Sequence, residues 1–404
     1  MVNLLVEAEV LANQMKRDRR WLHQHPECGY DLPETSSYVF ERLKSMGLSP
    51  QMLIPHSGVV ATVGDANGPC YLLRADMDAL PEAEQTDLPF ASKNGRMHAC
   101  GHDLHTAMLL GAAQLLKNHE GEYPGCVKLM FQPDEEASAD GQLGCRSMID
   151  AGVLQNPRVL AASGCHVSPD VPRGEVGAYP GTVAYSVDDV DVTVTGKACH
   201  GAQTFAGIDP INVCCHIHLA LQELLAREVD PAETVVLSIG MIDGGSSANT
   251  IPDTCHMLGT LRTFDEESHR RLSRRIRSIC ECTAEAFGAT ATVRFLRPAP
   301  TVYNDPELVE ELSAAYTAGT GRKVRRMSSP FSGSDDFGEL SHEVPSAYFM
   351  LGALPDDAPA TSLHDPRIVF DESVMPFGAA MHASMAWGWL ARHAEGGKAR
   401  AERR

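Results

Sequence analysis

The stretch His98-Ala99-Cys100-Gly101-His102-Asp103-Leu104-His105 packs three imidazoles, a thiol and a carboxylate into eight residues, then runs into an apolar helical pattern. Thiolate and imidazole are the side chains that bind a borderline-soft divalent metal such as zinc. Cys100 and His102 stand two apart, so an extended segment would turn both to one face. Taken alone, a C-x-H pair is more often a buried cysteine beside surface histidines. The acidic cluster Gln132-Pro133-Asp134-Glu135-Glu136 and the isolated His166 and His364 favour the other reading, because together they can complete a two-metal site.

Working outward from this stretch, residues 3–24 have apolar positions near a 3.6 period and predict one helix, with a second over 34–46. The apolar runs 58–64 and 70–75 predict buried strands, the latter leading into Asp76-Met77-Asp78. Residues 104–119 form an amphipathic helical pattern, and the strand 127–131 ends at the Glu135-Glu136 pair. A helix end over 148–154 and a strand over 159–162, aimed at His166, continue the alternation of an α/β domain. The texture changes near Ser186. Residues 187–195 alternate with period two, and a helix (210–227), strands 234–242 and 254–263, a helix (266–287) and a strand (290–295) follow. That is the β-α-β-β-α-β order of a ferredoxin-like unit. We therefore expect an inserted domain over 186–297 and a discontinuous catalytic domain over 1–185 and 298–404. Helix 307–317, a loop with Gly333-Ser-Asp-Asp-Phe337, strand 347–351, the His364 loop and a helix over 373–391 complete the chain, with a polar tail, Glu395–Arg404, expected to fray.

A chain of 404 residues exceeds the usual single core, which agrees with two domains. A net charge of -19 argues against a nucleic-acid partner. No apolar run is long enough to span a bilayer, and the N-terminal residues lack a signal-peptide core, so a cytoplasmic location is expected. The 12 cysteines show no C-x-x-C or repeated spacing and read as buried thiols in a reducing compartment, Cys100 excepted.

Adjacent glutamates at a strand end can divide labour, one binding metal and the other holding a water as general base. At this point the chain resembles a known family. Arg74-Ala-Asp-Met-Asp-Ala-Leu-Pro81, Met97-His-Ala-Cys-Gly-His-Asp103, Phe131-Gln-Pro-Asp-Glu-Glu136, Gly196-Lys-Ala-Cys-His-Gly-Ala202, Ile208-Asp-Pro-Ile211, Ala248-Asn-Thr-Ile-Pro252 and Gly259-Thr-Leu-Arg262 resemble, in register, the aminoacylase and carboxypeptidase superfamily of two-metal exopeptidases. The likeness is to its amidohydrolase branch of hippurate hydrolases, N-acyl-amino-acid aminoacylases and auxin-conjugate hydrolases. It implies an α/β, zinc-exopeptidase-like catalytic domain with an inserted ferredoxin-like α+β lid domain that also dimerises. It further implies two divalent cations, Zn²⁺ or Mn²⁺ with Co²⁺ possible, and Cys100 as bridging thiolate. Glu136 and His364 would complete one site, His102 and His166 the other, with Asp78 orienting a ligand and Glu135 as general base. Asp76 stands where the wider superfamily has a metal-binding histidine and is kept out of the ligand set. In the inserted domain the resemblance implies His200 as oxyanion donor, reaching across a dimer, and Arg262 with Asn249 as the grip on a substrate carboxylate. His98, His105, His216, His218 and His382 read as packing or surface residues.

The expected reaction is hydrolysis of an N-acyl or aryl-acyl amino acid, a small-molecule substrate, by a homodimer or higher oligomer. A dipeptidase or carboxypeptidase is the alternative within enzymes. A silent metal- or ligand-binding protein would not need Glu135, and a redox-sensing Cys100 lacks a resolving cysteine nearby. The chain departs from the branch pattern at Thr204-Phe205, where Pro-His is usual, at Asp134, where a small residue is usual, and at Asp335 in place of Glu.

Overall fold

The strands Cys70–Asp76 and Cys126–Gln132 are buried at every position, as parallel strands covered on both faces must be. They sit inside an eight-stranded sheet of a computed structural model that describes residues 2–136, 143–331, 333–356 and 361–394, so the tail Glu395–Arg404 lies outside the described residues. The chain divides into two compact units, one formed by residues 1–183, 303–330 and 336–404, the other by 184–302 with 331–335.

In the first unit, strand Cys70–Asp76 pairs in parallel with both Cys126–Gln132 and Val159–Arg173, the two long strands that follow it in sequence. Successive crossovers therefore leave in opposite directions and open a crevice at the carboxyl ends of these strands. Strand Ser346–Gly352 pairs in parallel with Val159–Arg173, and its Met350 lies opposite His166. Helix His102–Asn118 is buried along most of its length and packs against helices Ala12–Gln24 and Met375–His393. Its first turn is pinned by charge. Buried Asp103 accepts from Arg19 Nε at 2.7 Å and pairs with His23 Nδ1 at 2.8 Å. Burial works against the ionised carboxyl, but Arg19 and His23 hold it well below the usual carboxylate range.

Three expectations need correction. The first helix is two, Leu4–Val10 and Ala12–Gln24, because Leu11 N–H bonds Ala8 O at 3.0 Å in a tightened turn. Strand Val159–Arg173 runs far past Ala162 and carries His166 within it. Pro169 and Pro172 argue against a strand there, but they fall where the ladder to Leu351 and Gly352 shifts register and needs no donor. Residues after Asp336 form a helix, Phe337–Glu343, and not a continued loop.

In the second unit the four-stranded sheet has the order Val235–Gly244, Thr254–Thr263, Val187–Thr195, Thr290–Ala299, all antiparallel, with helices Pro210–Glu228 and Glu266–Ala286 packed on it. This is the strand order of a ferredoxin-like fold. Its core is made by the alternate positions Val190, Val192 and Val194 against Ile217, Leu221, Leu272 and Ile276. Residues 331–335 join it through Tyr185 N–H to Gly333 O at 2.9 Å and Arg262 to Ser334 Oγ at 2.9 Å.

His269 in this unit provides a pH test. Hydrogen bonds to Asp188 and Glu266 raise its pKa to about 9, against the opposing effect of burial. A raised imidazole pKa stabilises the fold below the ordinary value of about 6.5, and that contribution is lost as pH rises through the folded value. An NMR titration of the ring should give a midpoint near 9, and Asp188→Asn should move it back towards 6.5. A wild-type midpoint near 6.5 would show the pair to be unimportant.

Candidate metal centre

Cys100 and His102 do meet, but not by lying in an extended segment. Gly101 stands between them at φ 90° as the cap of helix His102–Asn118. A Cβ at this position would lie 2.4 Å from Val167 Cγ2, so both the dihedral and the space demand glycine. Cys100 Sγ then lies 3.4 Å from His166 Nε2. The loop after strand Cys126–Gln132 carries the two glutamates, with Asp134 at φ 51°. Asp78 organises this loop: its carboxylate accepts from Glu135 N–H at 3.1 Å and Glu136 N–H at 3.0 Å. The side chains of the pair converge and do not diverge, Glu135 Oε2 lying 3.8 Å and Glu136 Oε1 3.9 Å from His102 Nε2. His364, at φ 67°, brings its Nε2 to 3.2 Å from Glu136 Oε1.

The hydrogen-bond partners fix which nitrogen each ring presents. His102 Nδ1 donates to the carbonyl of Asp78 at 2.8 Å and His166 Nδ1 to that of Val167 at 2.6 Å. A carbonyl can only accept, so Nδ1 is the donor in both rings and Nε2 is the nitrogen left for the crevice. His102 Nε2 is buried and has no hydrogen-bond partner among the described residues. Potential ligand atoms of Cys100, His102 and His166 lie within 4.8 Å of one another, and so do those of Cys100, Glu136 and His364. Asp76, His102 and His105 meet the same criterion, yet both nitrogens of His105 are already engaged, by Asp76 and by Val167 N–H. The two sets that contain Cys100 share its thiol and fit two adjacent divalent cations, while His102, Glu135 and Glu136 form a further set without it.

The field agrees with this. Burial disfavours charge on His102, but Asp76, Asp78 and Glu136 outweigh it and raise its pKa to about 10, so the pocket favours positive charge. Burial, with Glu136, Glu135 and Asp76, pushes the Cys100 thiol well above its ordinary value; a thiolate there needs a cation beside it. Burial and His105 hold His166 neutral and ready to ligate.

Arg74 anchors the crevice floor. It is buried and bonds Asp76 Oδ2 at 2.5 Å, Asp336 Oδ1 at 2.8 Å and Gln132 Oε1 at 2.8 Å. Arg74→Met leaves those buried carboxylates without their cation, and removing one partner of such a set costs about 3–5 kcal/mol. Chemical denaturation should register that loss. A change below about 1 kcal/mol would show the network to be dispensable.

In the second unit, His200 Nδ1 accepts from Ala202 N–H at 3.1 Å, so the ring's proton sits on exposed Nε2. Its strand pairs with the one following Asn249, and Asn249 O accepts from Gly201 N–H at 2.7 Å. Asn249 Oδ1 accepts from the Ser247 hydroxyl at 2.6 Å. Phe205 lies on the turn Thr204–Ala206 and is 89% exposed.

The sequence profile of Peptidase family M20/M25/M40 matches residues 72–387. The chain belongs to this family. It is 36% identical over 378 residues to the IAA-amino acid hydrolase ILR1-like 4 of Arabidopsis thaliana, covering 92% of this chain and 84% of the relative. It is also 36% identical over 374 residues to the N-acetyl-L-cysteine deacetylase of Bacillus subtilis (strain 168), covering 92% and 86%. A solved Bacillus subtilis dinuclear metal-binding peptidase of family M20 superposes with TM-score 0.79 at 33% identity, covering 95% of this chain and 99% of that one. The M20 chain described here has the mixed α/β fold of that family and is a metal-dependent hydrolase of amide bonds, with a crevice that fits two metals. Among its described residues no helix is long and apolar enough to cross a membrane.

Sequence reasoning placed His105 with the packing residues. It is buried, and its spacing of three from His102 on one helix puts both rings on neighbouring positions. Asp78, expected to orient a ligand, accepts from His102 Nδ1 through its main-chain carbonyl and from the glutamate loop through its carboxylate.

Proposed function

We propose that the protein hydrolyses the amide between an acyl or aryl-acyl group and an amino acid with a free carboxylate, using two Zn²⁺ or Mn²⁺ ions, with Co²⁺ as a possible substitute. The observation that carries this reading is the meeting of two ligand sets on Cys100 with a second carboxylate, Glu135, beside them. His102 and His166 would hold one ion, Glu136 and His364 the other, and Cys100 both. Bound there, the ions would polarise a carbonyl and acidify water. Glu135 takes the proton from the water that attacks the acyl carbon and returns it to the amide nitrogen as the C–N bond breaks. His200 donates its Nε2 proton as a hydrogen bond to the oxyanion, and Arg262 with Asn249 grips the substrate carboxylate.

We assign the inserted unit the roles of lid and dimer contact. Its edge strand Val235–Gly244 exposes Val236, Met241 and Ile242, which supports pairing between two copies. The free state of all cysteines supports a reducing, cytoplasmic setting.

A panel of N-acyl amino acids, given to metal-replete enzyme, should yield the free acid and amino acid in equal amounts. No turnover across acyl and amino-acid variation would sink the reading. The peptidase in the family's solved structures keeps a second reading open, cleavage of dipeptides, and faster turnover of free dipeptides than of hippurate-like substrates would select it.

A further inference from the structure

Both nitrogens of His105 are spoken for. Val167 N–H donates to its Nε2 at 2.8 Å. A peptide N–H cannot accept, so Nε2 offers its lone pair, and the ring proton sits on Nδ1, 2.6 Å from Asp76 Oδ1. Asp76 is itself fixed: its other oxygen takes Arg74, and its main-chain carbonyl takes Thr106 Oγ1 at 2.9 Å. On the other side, Val167 follows His166 and accepts from His166 Nδ1 through its carbonyl. One residue thus joins two imidazoles, its N–H held by His105 and its C=O holding His166. The His105 ring also stands edge-on to His166, with centroids 4.6 Å apart and planes at 65°. The side chain of Val167 completes the wedge, since it fills the space beside Gly101 between Cys100 and His102.

We propose that His105 is a positioning residue for the cation held by Cys100, His102 and His166: it fixes the Val167 peptide and, through it, the direction of His166 Nε2. This rests on the reading that those three residues bind metal. The other ligand set, Glu136 and His364, has no contact with Val167 in this chain of bonds, so the effect falls on one ion of the two.

Two isosteres separate the halves of the ring. Gln at position 105 places a carbonyl oxygen near the Nε2 site and can still accept from Val167. Asn places an amide N–H near the Nδ1 site; it serves Asp76 but leaves Val167 N–H without its acceptor. Metal-free full-length protein is titrated with Zn²⁺ against a chromophoric chelator, with its thermal midpoint as the folding control. Wild type and His105→Gln should bind two ions with affinities within about threefold of each other, while His105→Asn should lose about 10–100-fold at one site alone. His105→Asn binding both ions as wild type does, or losing both equally, overturns the proposal. So does an NMR spectrum of ring-¹⁵N-labelled wild type, which needs no variant, if it finds Nε2 of His105 protonated. Wild type that binds no Zn²⁺ overturns the metal-centre reading itself, and this inference with it; that outcome is distinct from two ions bound and an indifferent variant.

Discussion

Glu135→Gln should fold, bind both ions and turn over about 10²–10⁴-fold more slowly, the range attributable to a general base. The amide is isosteric with the carboxylate but cannot take a proton from water. Its fold should be spared because Asp78 holds the loop by the backbone N–H groups of residues 135 and 136, and those bonds do not depend on the side chain. Metal content measured by elemental analysis beside kcat decides the matter. A variant with near wild-type kcat removes Glu135 from the mechanism; one that loses metal with activity makes it a ligand.

Cys100→Ala should have the widest effect on metal. Its sulfur is the atom common to the two ligand sets, so its removal leaves two ligands for each ion, His102 with His166 and Glu136 with His364. We expect the purified variant to retain less than one ion per chain after dialysis and to lose activity by more than about 10³-fold, since metal-dependent water activation is lost with it. The metal-free fold should survive, because the replacement is small and the residue is buried beside glycine. Retention of two ions at wild-type affinity would show that the thiol is a neighbour of the centre and not part of it.

Much of this was legible in the sequence, and the pattern of success has a physical reason. Strand Val187–Thr195 falls where period-two alternation places it, because one face of that sheet is buried under helices and the pattern is local. The family resemblance named Cys100, His102, Glu136, His166 and His364, and the structure brings their potential ligand atoms together in two sets. What was hidden depends on distant partners. The partners of His105 are Asp76 and Val167, one 29 and the other 62 positions away. The length of strand Val159–Arg173 was masked by prolines whose missing donors matter only in a paired ladder, and the ladder shifts there. At Gly101 the local geometry differs from expectation: two residues expected to share one face of an extended segment meet around a helix cap instead.

Main-chain carbonyls, those of Asp78 and Val167, dictate how His102 and His166 are presented. Main-chain atoms are common to all amino acids, so a substitution at position 78 or 167 leaves the accepting carbonyl itself in place. An engineer seeking a harder or softer ion therefore has freedom at the sulfur and the carboxylate, while the imidazole pair comes ready-made with the scaffold.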